Sequence, residues 1–366
     1  MFYWGRVSDL MALIIPYDLY YLYAAGKVAI SGGDPYDYSQ FCTALYQLGW
    51  PRYEGIQGLT HPPWNFWLYG MFAYLPFHLA AALWLSVIVI GICSALIWLH
   101  RSNIGVLHQT SQLSGHRLLL AIICFPPVYS NIIYGQINIF LLIGLLQFVR
   151  LRQLGRFFAS GMWLSLTLLK PHLLIPLYVA IFITSFRERN FRSLLGCAVG
   201  FVLQLSLTLF FYPHALSDYV VHFSEVMKST EGLLGASLAQ VISFAFKTTW
   251  STWAILATGT LISCIISARR PMTPFLIMHI FVPLSLLSTP YIWSHSMILM
   301  VASYLELVGA LFSKMKDRAR WVLLLLGIFS SVLVVRPVLD PIMIAFPILA
   351  VSYGISLSKK EVLSRQ

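Results

Sequence analysis

LAAALWLSVIVIGICSALIWL, from Leu79 to Leu99, is a run of 21 residues without a single charge. A helix needs about 20 predominantly apolar residues to cross the hydrocarbon core of a bilayer, so this stretch predicts a membrane-spanning helix. The rest of the chain has the same character: 58% of its residues are apolar, 10% are charged, and the mean hydropathy is +0.77. A soluble domain has about 25% charged residues. We therefore expect lipid to surround most of this protein.

Further apolar runs alternate with short basic loops, as in helical proteins that cross a membrane many times. We predict an all-α polytopic membrane protein with about eleven membrane segments, several of them short or broken. It forms a single integral membrane domain over 1–366, with an outer loop and interfacial helices in 1–78 and a transmembrane helix bundle in 79–366. Besides Leu79–Leu99, the predicted segments are Leu118–Ile133, Ile137–Val149, Phe157–Leu169, Leu173–Phe186, Ser193–Tyr212, Thr252–Ala268, Phe275–Thr289, Ser296–Phe312, Trp321–Val335 and Pro341–Leu357.

The basic residues predict the orientation of this bundle. If Leu79–Leu99 runs from outside to inside, seventeen of the 24 Lys and Arg residues fall in inside loops. Cytoplasmic loops of membrane proteins carry such an excess. We therefore expect a multi-pass protein of the cell (plasma or inner) membrane, with a cytoplasmic C-terminus and an outward-facing site. The net charge of +11 is explained by topology, and no nucleic-acid partner is expected.

PYDLYYLYAAGKVAISGGDPYDY, from Pro16 to Tyr38, includes Asp18 and Asp34, in a chain that has only 13 acidic residues. Asp18 is the candidate catalytic base, and Asp34 is a candidate substrate-binding residue. A structural interpretation is open for both of them. Carboxylates are common at helix starts, which suits Asp18, and a Gly-Gly-Asp-Pro cluster is typical of a turn, which Asp34 would support.

Two further outer segments carry candidate substrate-binding residues. His61 begins HPPWNFWLYG, where the alternative is a plain junction between a loop and a helix. Gln136 and Asn138 lie in IIYGQINIF. Side-chain amides offer donors and an acceptor to sugar hydroxyls, but they also hold membrane helices together. Both interpretations stay open.

LLKPHLL, from Leu168 to Leu174, separates two apolar runs that are each too short to cross a bilayer. Short helices are tolerated where their ends line a cavity, so we expect Lys170 and His172 inside one. A cation near membrane depth needs a partner, and we expect that Lys170 binds a phosphate. The alternative is a side chain that extends to the interface.

STPYIWSH, from Ser288 to His295, adds two candidates at another outer turn. Trp293 is suited to stacking on a sugar, and His295 to binding a phosphate or a hydroxyl. The alternative is an interfacial aromatic belt, in which Trp is common, with a neutral His beside it.

In these stretches the chain resembles the polyprenyl-phosphate-mannose-dependent alpha-(1→2)-mannosyltransferases, glycosyltransferase family 87 of the GT-C superfamily. The resemblance covers about residues 18 to 300 and implies a GT-C fold, a polyprenyl-phosphate sugar donor, and a glycolipid or glycan acceptor among membrane lipids. It also implies inversion at the anomeric carbon. By this resemblance Asp18 is the base, and Lys170 and His295 match the family's lysine and histidine. The matching stretches are DLYYLYAAGKVAISGGDPY, HPPWNFWLYGMFAYLPF, YGQINIFLLIGLL, GMWLSLTLLKPHLLIPL and STPYIWSH.

Such a transfer needs one base, while a phosphate leaving group needs no strong acid. We expect no cofactor and no metal, since the cysteines show no ligand framework. The family usually has a membrane span before the acidic segment, so this chain either lacks that span or has it upstream of Met1. Two alternatives remain open: another GT-C transferase, such as a pentosyltransferase, and a transporter or lipid flippase, which broken helices would also suit.

Overall fold

A computed structural model describes residues 17–50, 58–101, 125–228, 237–248, 250–314, 347–353 and 355. Within these ranges all regular structure is helical, as predicted. The α-helices are α1 (Tyr17–Ile30), α2 (Tyr38–Gln47), α3 (Phe66–Ala73), α4 (Phe77–Arg101), α5 (Pro126–Tyr134), α6 (Asn138–Gln153), α7 (Phe157–Leu164), α8 (Ile175–Arg187), α9 (Arg192–Phe211), α10 (Ala215–Lys228), α11 (Leu238–Phe246), α12 (Trp250–Arg269), α13 (Pro274–Leu276), α14 (Val282–Ser288) and α15 (Val301–Lys314). Tighter 3₁₀ turns lie at Pro63–Asn65, Ser165–Leu169, Pro171–Leu174 and Ser294–Met300, and a π-helical turn lies at Ile277–Phe281.

Three of these helices are long and apolar enough to cross a membrane: Phe77–Leu99, Arg192–Phe211 and Trp250–Arg269. Each coincides with a predicted segment. Shorter apolar stretches at Phe157–Leu169, Pro171–Arg187, Pro274–Ser288 and Ser294–Ala310 coincide with four more. Residues 118–124 and 321–335 and most of 341–357 lie outside the described ranges. The total of eleven segments therefore stays a prediction.

The chain divides into two compact units. Unit 1 comprises Met1–Ile90, Asn131–Ile137 and Phe201–Glu231, and unit 2 comprises Gly91–Ser130, Asn138–Gly200 and Gly232–Gln366. These units are defined by how compactly their residues pack. The predicted boundary at residue 78 instead separates an outer and interfacial part from the transmembrane bundle, and it stays a prediction.

In unit 1, a close helix contact positions the helix that carries Asp18. A Cβ atom added to Gly26 in α1 would lie 2.6 Å from the Tyr69 carbonyl oxygen in α3. Only glycine allows the two helices to approach this closely. Phe77 packs against the rings of Tyr20 and Tyr23, with centroids 4.7 and 5.0 Å apart. The result is an aromatic core that holds α1 in place.

In unit 2, the predicted break at Lys170 is observed between the two 3₁₀ turns. Lys170 has φ −136° and ψ 74°, outside the helical region. Pro171 explains this, because proline disfavours helical geometry in the residue before it and has no N–H to donate. The Tyr178 hydroxyl donates to Thr167 Oγ1 over 2.9 Å and so joins the helical segments on either side of the break.

Candidate functional site

In unit 1, the structure brings Asp18 and Gln136 together. Asp18 lies half-buried in the first turn of α1, where the helix dipole favours negative charge. Gln136 is buried in the connection between α5 and α6, and its Nε2 amide donates a hydrogen bond to the Asp18 carboxylate. A hydrogen bond to the charged form of a carboxyl favours ionisation. This hydrogen bond therefore orients the Asp18 carboxyl group and favours its ionised form.

Tyr69, in α3, is part of the same environment and was not singled out from the sequence. Burial raises the pKa of Tyr69, and the charge of Asp18 adds to the rise, so the hydroxyl stays neutral. Asn65 Nδ2 donates to this hydroxyl over 3.3 Å, and the His61 ring meets the Tyr69 ring edge-on at 5.8 Å. Asn65 and Tyr69 are four residues apart, and residues at this spacing are neighbours on a helix, so the sequence already indicated this contact.

Asp34 has a different set of partners and closes the turn after α1. Its Oδ1 accepts from the Tyr36 backbone N–H over 2.8 Å, and its own N–H donates to Gln40 Oε1 over 3.0 Å. Its Oδ2 lies 3.1 Å from His222 Nε2 in α10. These contacts agree with the turn-supporting interpretation of Asp34. Its predicted role in substrate binding stays a prediction.

Asp34 also has partners that were not among the predicted site residues. The Tyr212 hydroxyl donates to Asp34 Oδ1 over 3.4 Å and also to the Asp218 carboxylate. Burial raises the pKa of Tyr212, and the two carboxylates raise it further, so Tyr212 remains a neutral donor. Tyr36 donates its hydroxyl to the His61 carbonyl oxygen over 2.8 Å. The acidic turn is thus linked to both α10 and the His61 segment.

In unit 2, the break at Lys170 packs against the segment that carries Trp293. Thr289 Oγ1 donates to the His172 carbonyl oxygen over 2.9 Å, and the His172 ring stacks on Tyr291 with centroids 4.1 Å apart. Lys170 is buried, with only 8% of its surface exposed. Two of the predicted site segments therefore meet, and Tyr291, which was not among the predicted site residues, lies between them.

Trp293 directly precedes the 3₁₀ turn at Ser294–Met300, and His295 is the second residue of that turn. Trp293 is half-buried, His295 is buried, and the Trp293 carbonyl accepts from the Ser296 N–H over 3.0 Å. The preceding residue, Ile292, donates its N–H to Gln240 Oε1 over 2.8 Å. Gln240 belongs to a capping box at the start of α11, so this helix end fixes the backbone that presents Trp293 and His295.

Asn138 is the first residue of α6, which packs against both Ser165–Leu169 and Ser294–Met300. Its side chain is fully buried, and in the described part of the chain neither amide atom has a hydrogen-bond partner. Leaving such a group unpaired costs about 1–3 kcal/mol. Within the described residues, Asn138 is thus a fully buried amide without hydrogen-bond partners, beside the elements that flank Lys170 and contain His295.

Among the described residues, no group of three or more His, Cys, Asp or Glu side chains has a geometry suited to a metal ion. The expected independence of metals and cofactors stays a prediction.

These observations define a class: a helical membrane protein in which two buried ionisable side chains, Lys170 and His295, lie at the ends of short helical segments. The model of glycosyltransferase family 87 matches residues 59–273, more than half of the chain, and this protein belongs to that family. No curated protein and no solved structure matches the chain. The resemblance to glycosyltransferase family 87 is thus confirmed, and the protein is a membrane glycosyltransferase. The match contains His61, Gln136, Asn138, Lys170 and His172, whereas Asp18, Asp34, Trp293 and His295 lie outside it.

Proposed function

We propose that this protein transfers a hexose, mannose by the resemblance, from a polyprenyl-phosphate donor to a hydroxyl of a glycolipid or glycan acceptor. The reaction takes place at the outer face of the cell membrane and inverts the anomeric carbon. Family membership supplies the class of reaction. The observation that carries the proposal is the hydrogen bond from Gln136 to Asp18, because it keeps a carboxylate ionised and oriented, as a general base requires.

Asp18 is the base of a single displacement. It takes the proton of the acceptor hydroxyl while the acceptor oxygen bonds to the anomeric carbon. The bond from that carbon to the donor phosphate oxygen breaks in the same step, and polyprenyl phosphate leaves with the electron pair. Gln136 supports this role by favouring ionised Asp18. Tyr69 is neutral and adds no competing charge beside the base.

The negative charge that develops on the leaving phosphate needs cationic or hydrogen-bonding groups. Lys170 is the proposed phosphate ligand, because a buried ammonium gains most from an anionic partner. His295 is a second donor to the same group. Asn138 has both amide atoms available for a ligand, so we assign it to a sugar hydroxyl.

The remaining predicted residues are assigned to the sugar and the acceptor. Trp293 is half-buried and offers a ring for stacking on the sugar. His172 is stacked on Tyr291, two residues before Trp293 in the sequence. His61 lies beside Tyr69 and is proposed to bind an acceptor hydroxyl. Asp34 is proposed to bind the acceptor through its carboxylate, in addition to closing the turn after α1. Gln136 is both a predicted substrate ligand and the partner of Asp18.

The test is to incubate the purified protein in nanodiscs with polyprenyl-phosphate mannose and a panel of glycolipid acceptors, and to identify products by mass spectrometry. A hexose added to an acceptor with inverted configuration supports the proposal. Transfer only from polyprenyl-phosphate pentose would show a pentosyltransferase. Counterflow of a labelled lipid without any transfer would show a transporter or flippase and would refute the proposal.

A further inference from the structure

The helix α10 has two faces of opposite character, and one of them is bound to the acidic turn of unit 1. Asp218 and His222 face inward, where Asp218 accepts from Tyr212 and His222 pairs with Asp34. The Tyr219 ring packs against Tyr36 with centroids 5.4 Å apart. This side of α10 therefore holds the turn that contains Asp34.

The opposite side of α10 is apolar and exposed. Leu216, Val220 and Phe223 recur at intervals of four and three residues, which places them on one face of a helix, and 41%, 73% and 46% of their surfaces are exposed. Ser217 and Ser224 are also exposed and lie beside this face, next to Val220. Val221 lies on the other side of the two serines. Exposed apolar residues in such a stripe mark a contact surface.

Two observations identify lipid as the occupant. First, α9 ends four residues before α10 begins and is one of the candidate membrane spans, with Phe210 in its last turn 77% exposed. The apolar face of α10 therefore begins close in sequence to the end of a helix that is expected to contact lipid. Second, α10 has 14 residues and is about 21 Å long at 1.5 Å per residue, too short for the roughly 30 Å hydrocarbon core.

We propose that α10 lies in the plane of the membrane interface, with Leu216, Val220 and Phe223 in lipid and Ser217 and Ser224 toward water. Amphipathic helices bind membranes in this way through the apolar area that they bury. Through the pair of His222 and Asp34, α10 then anchors the acidic turn at the membrane surface. The lipid contact is independent of the transfer chemistry, because it is measured without donor or acceptor.

The test places the photoreactive residue p-benzoylphenylalanine at Phe223 or at Ser224, two exposed neighbours that point about 100° apart on a helix. Phe210 serves as the membrane control. After irradiation in nanodiscs of phosphatidylcholine and phosphatidylglycerol, protein–lipid adducts are quantified by intact-mass spectrometry. We expect the yield at Phe223 to approach that at Phe210 and to exceed that at Ser224 several-fold. A yield at Phe223 equal to that at Ser224, or crosslinks to a second copy of the chain, would overturn the proposal.

A second measurement keeps the proposal testable if the labelled proteins fold poorly. Phe223→Glu and Ser224→Glu add the same charge at adjacent positions. Phe223→Glu should lower the thermal midpoint in nanodiscs, since lipid-facing charge is unfavourable, while Ser224→Glu should leave it unchanged. Equal midpoints for the two variants would mean that lipid does not cover this face.

Discussion

Replacing Gln136 by Met should shift the pH dependence of transfer to higher pH. Methionine keeps the length of the side chain but removes the amide that donates to Asp18. A hydrogen bond to a charged group contributes about 1.5–3 kcal/mol, and one pKa unit corresponds to about 1.4 kcal/mol. Losing the bond therefore destabilises the ionised form and raises the pKa of Asp18. Because Asp18 is half-buried, water replaces part of the bond, and we expect the acidic limb of the rate profile to move by roughly tenfold in proton concentration.

The sign follows from the role of the base. Asp18 acts only when ionised, so a raised pKa removes activity first at low pH and leaves the rate at high pH near that of the wild type. The assay is kcat/KM for the acceptor against pH, with saturating donor, in nanodiscs. Gln40→Met is the matched control, since Gln40 is an exposed amide that contacts Asp34 instead. An unshifted acidic limb in Gln136→Met, with the fold intact, would refute the reasoning.

Three further predictions concern the other charged residues of the proposed site. Lys170→Met should lower kcat/KM for the donor by roughly 10–100-fold, which is the contribution of a hydrogen bond to a charged group. Lys247→Met is the control, because Lys247 is exposed, and it should leave kcat/KM unchanged. Equal kinetics in both variants would show that Lys170 does not bind the phosphate. His295→Ala should lower transfer less strongly, and wild-type rates from about pH 6 to 8, where imidazole titrates, would exclude it. Asp34→Asn should lower the thermal midpoint slightly while transfer persists, because its ion pair with His222 is partly exposed and such pairs contribute at most about 1 kcal/mol.

The fold was predictable wherever it depends on local sequence. Apolar runs located α4, α9 and α12, and the Pro after Lys170 located the break, because both features act through neighbouring residues. Tyr212 was missed as a partner of Asp34, since 178 residues separate the two. Apolar periodicity shows where a helix lies but does not show which helix ends meet.

The sequence indicated candidate residues, but it did not indicate the contacts that the structure shows between them. Asp18 and Gln136 were both selected, and yet their hydrogen bond joins segments 118 residues apart. Asn138 was selected for the chemistry of its amide, whereas its lack of partners within the described chain is a property of three-dimensional packing. Asn65 and Tyr69 form a local pair that the helical spacing in HPPWNFWLYG already contained.

The most direct test of the central claim is single-turnover transfer by Asp18→Asn in nanodiscs, with donor binding measured on the same sample. The amide keeps the shape of the side chain and removes its basicity. Transfer should fall by roughly 10²–10⁴-fold, the contribution of a general base, while donor affinity stays at the wild-type value. A wild-type rate in Asp18→Asn, together with lost transfer in a stable Asp34→Asn variant, would contradict the account and assign the base to Asp34.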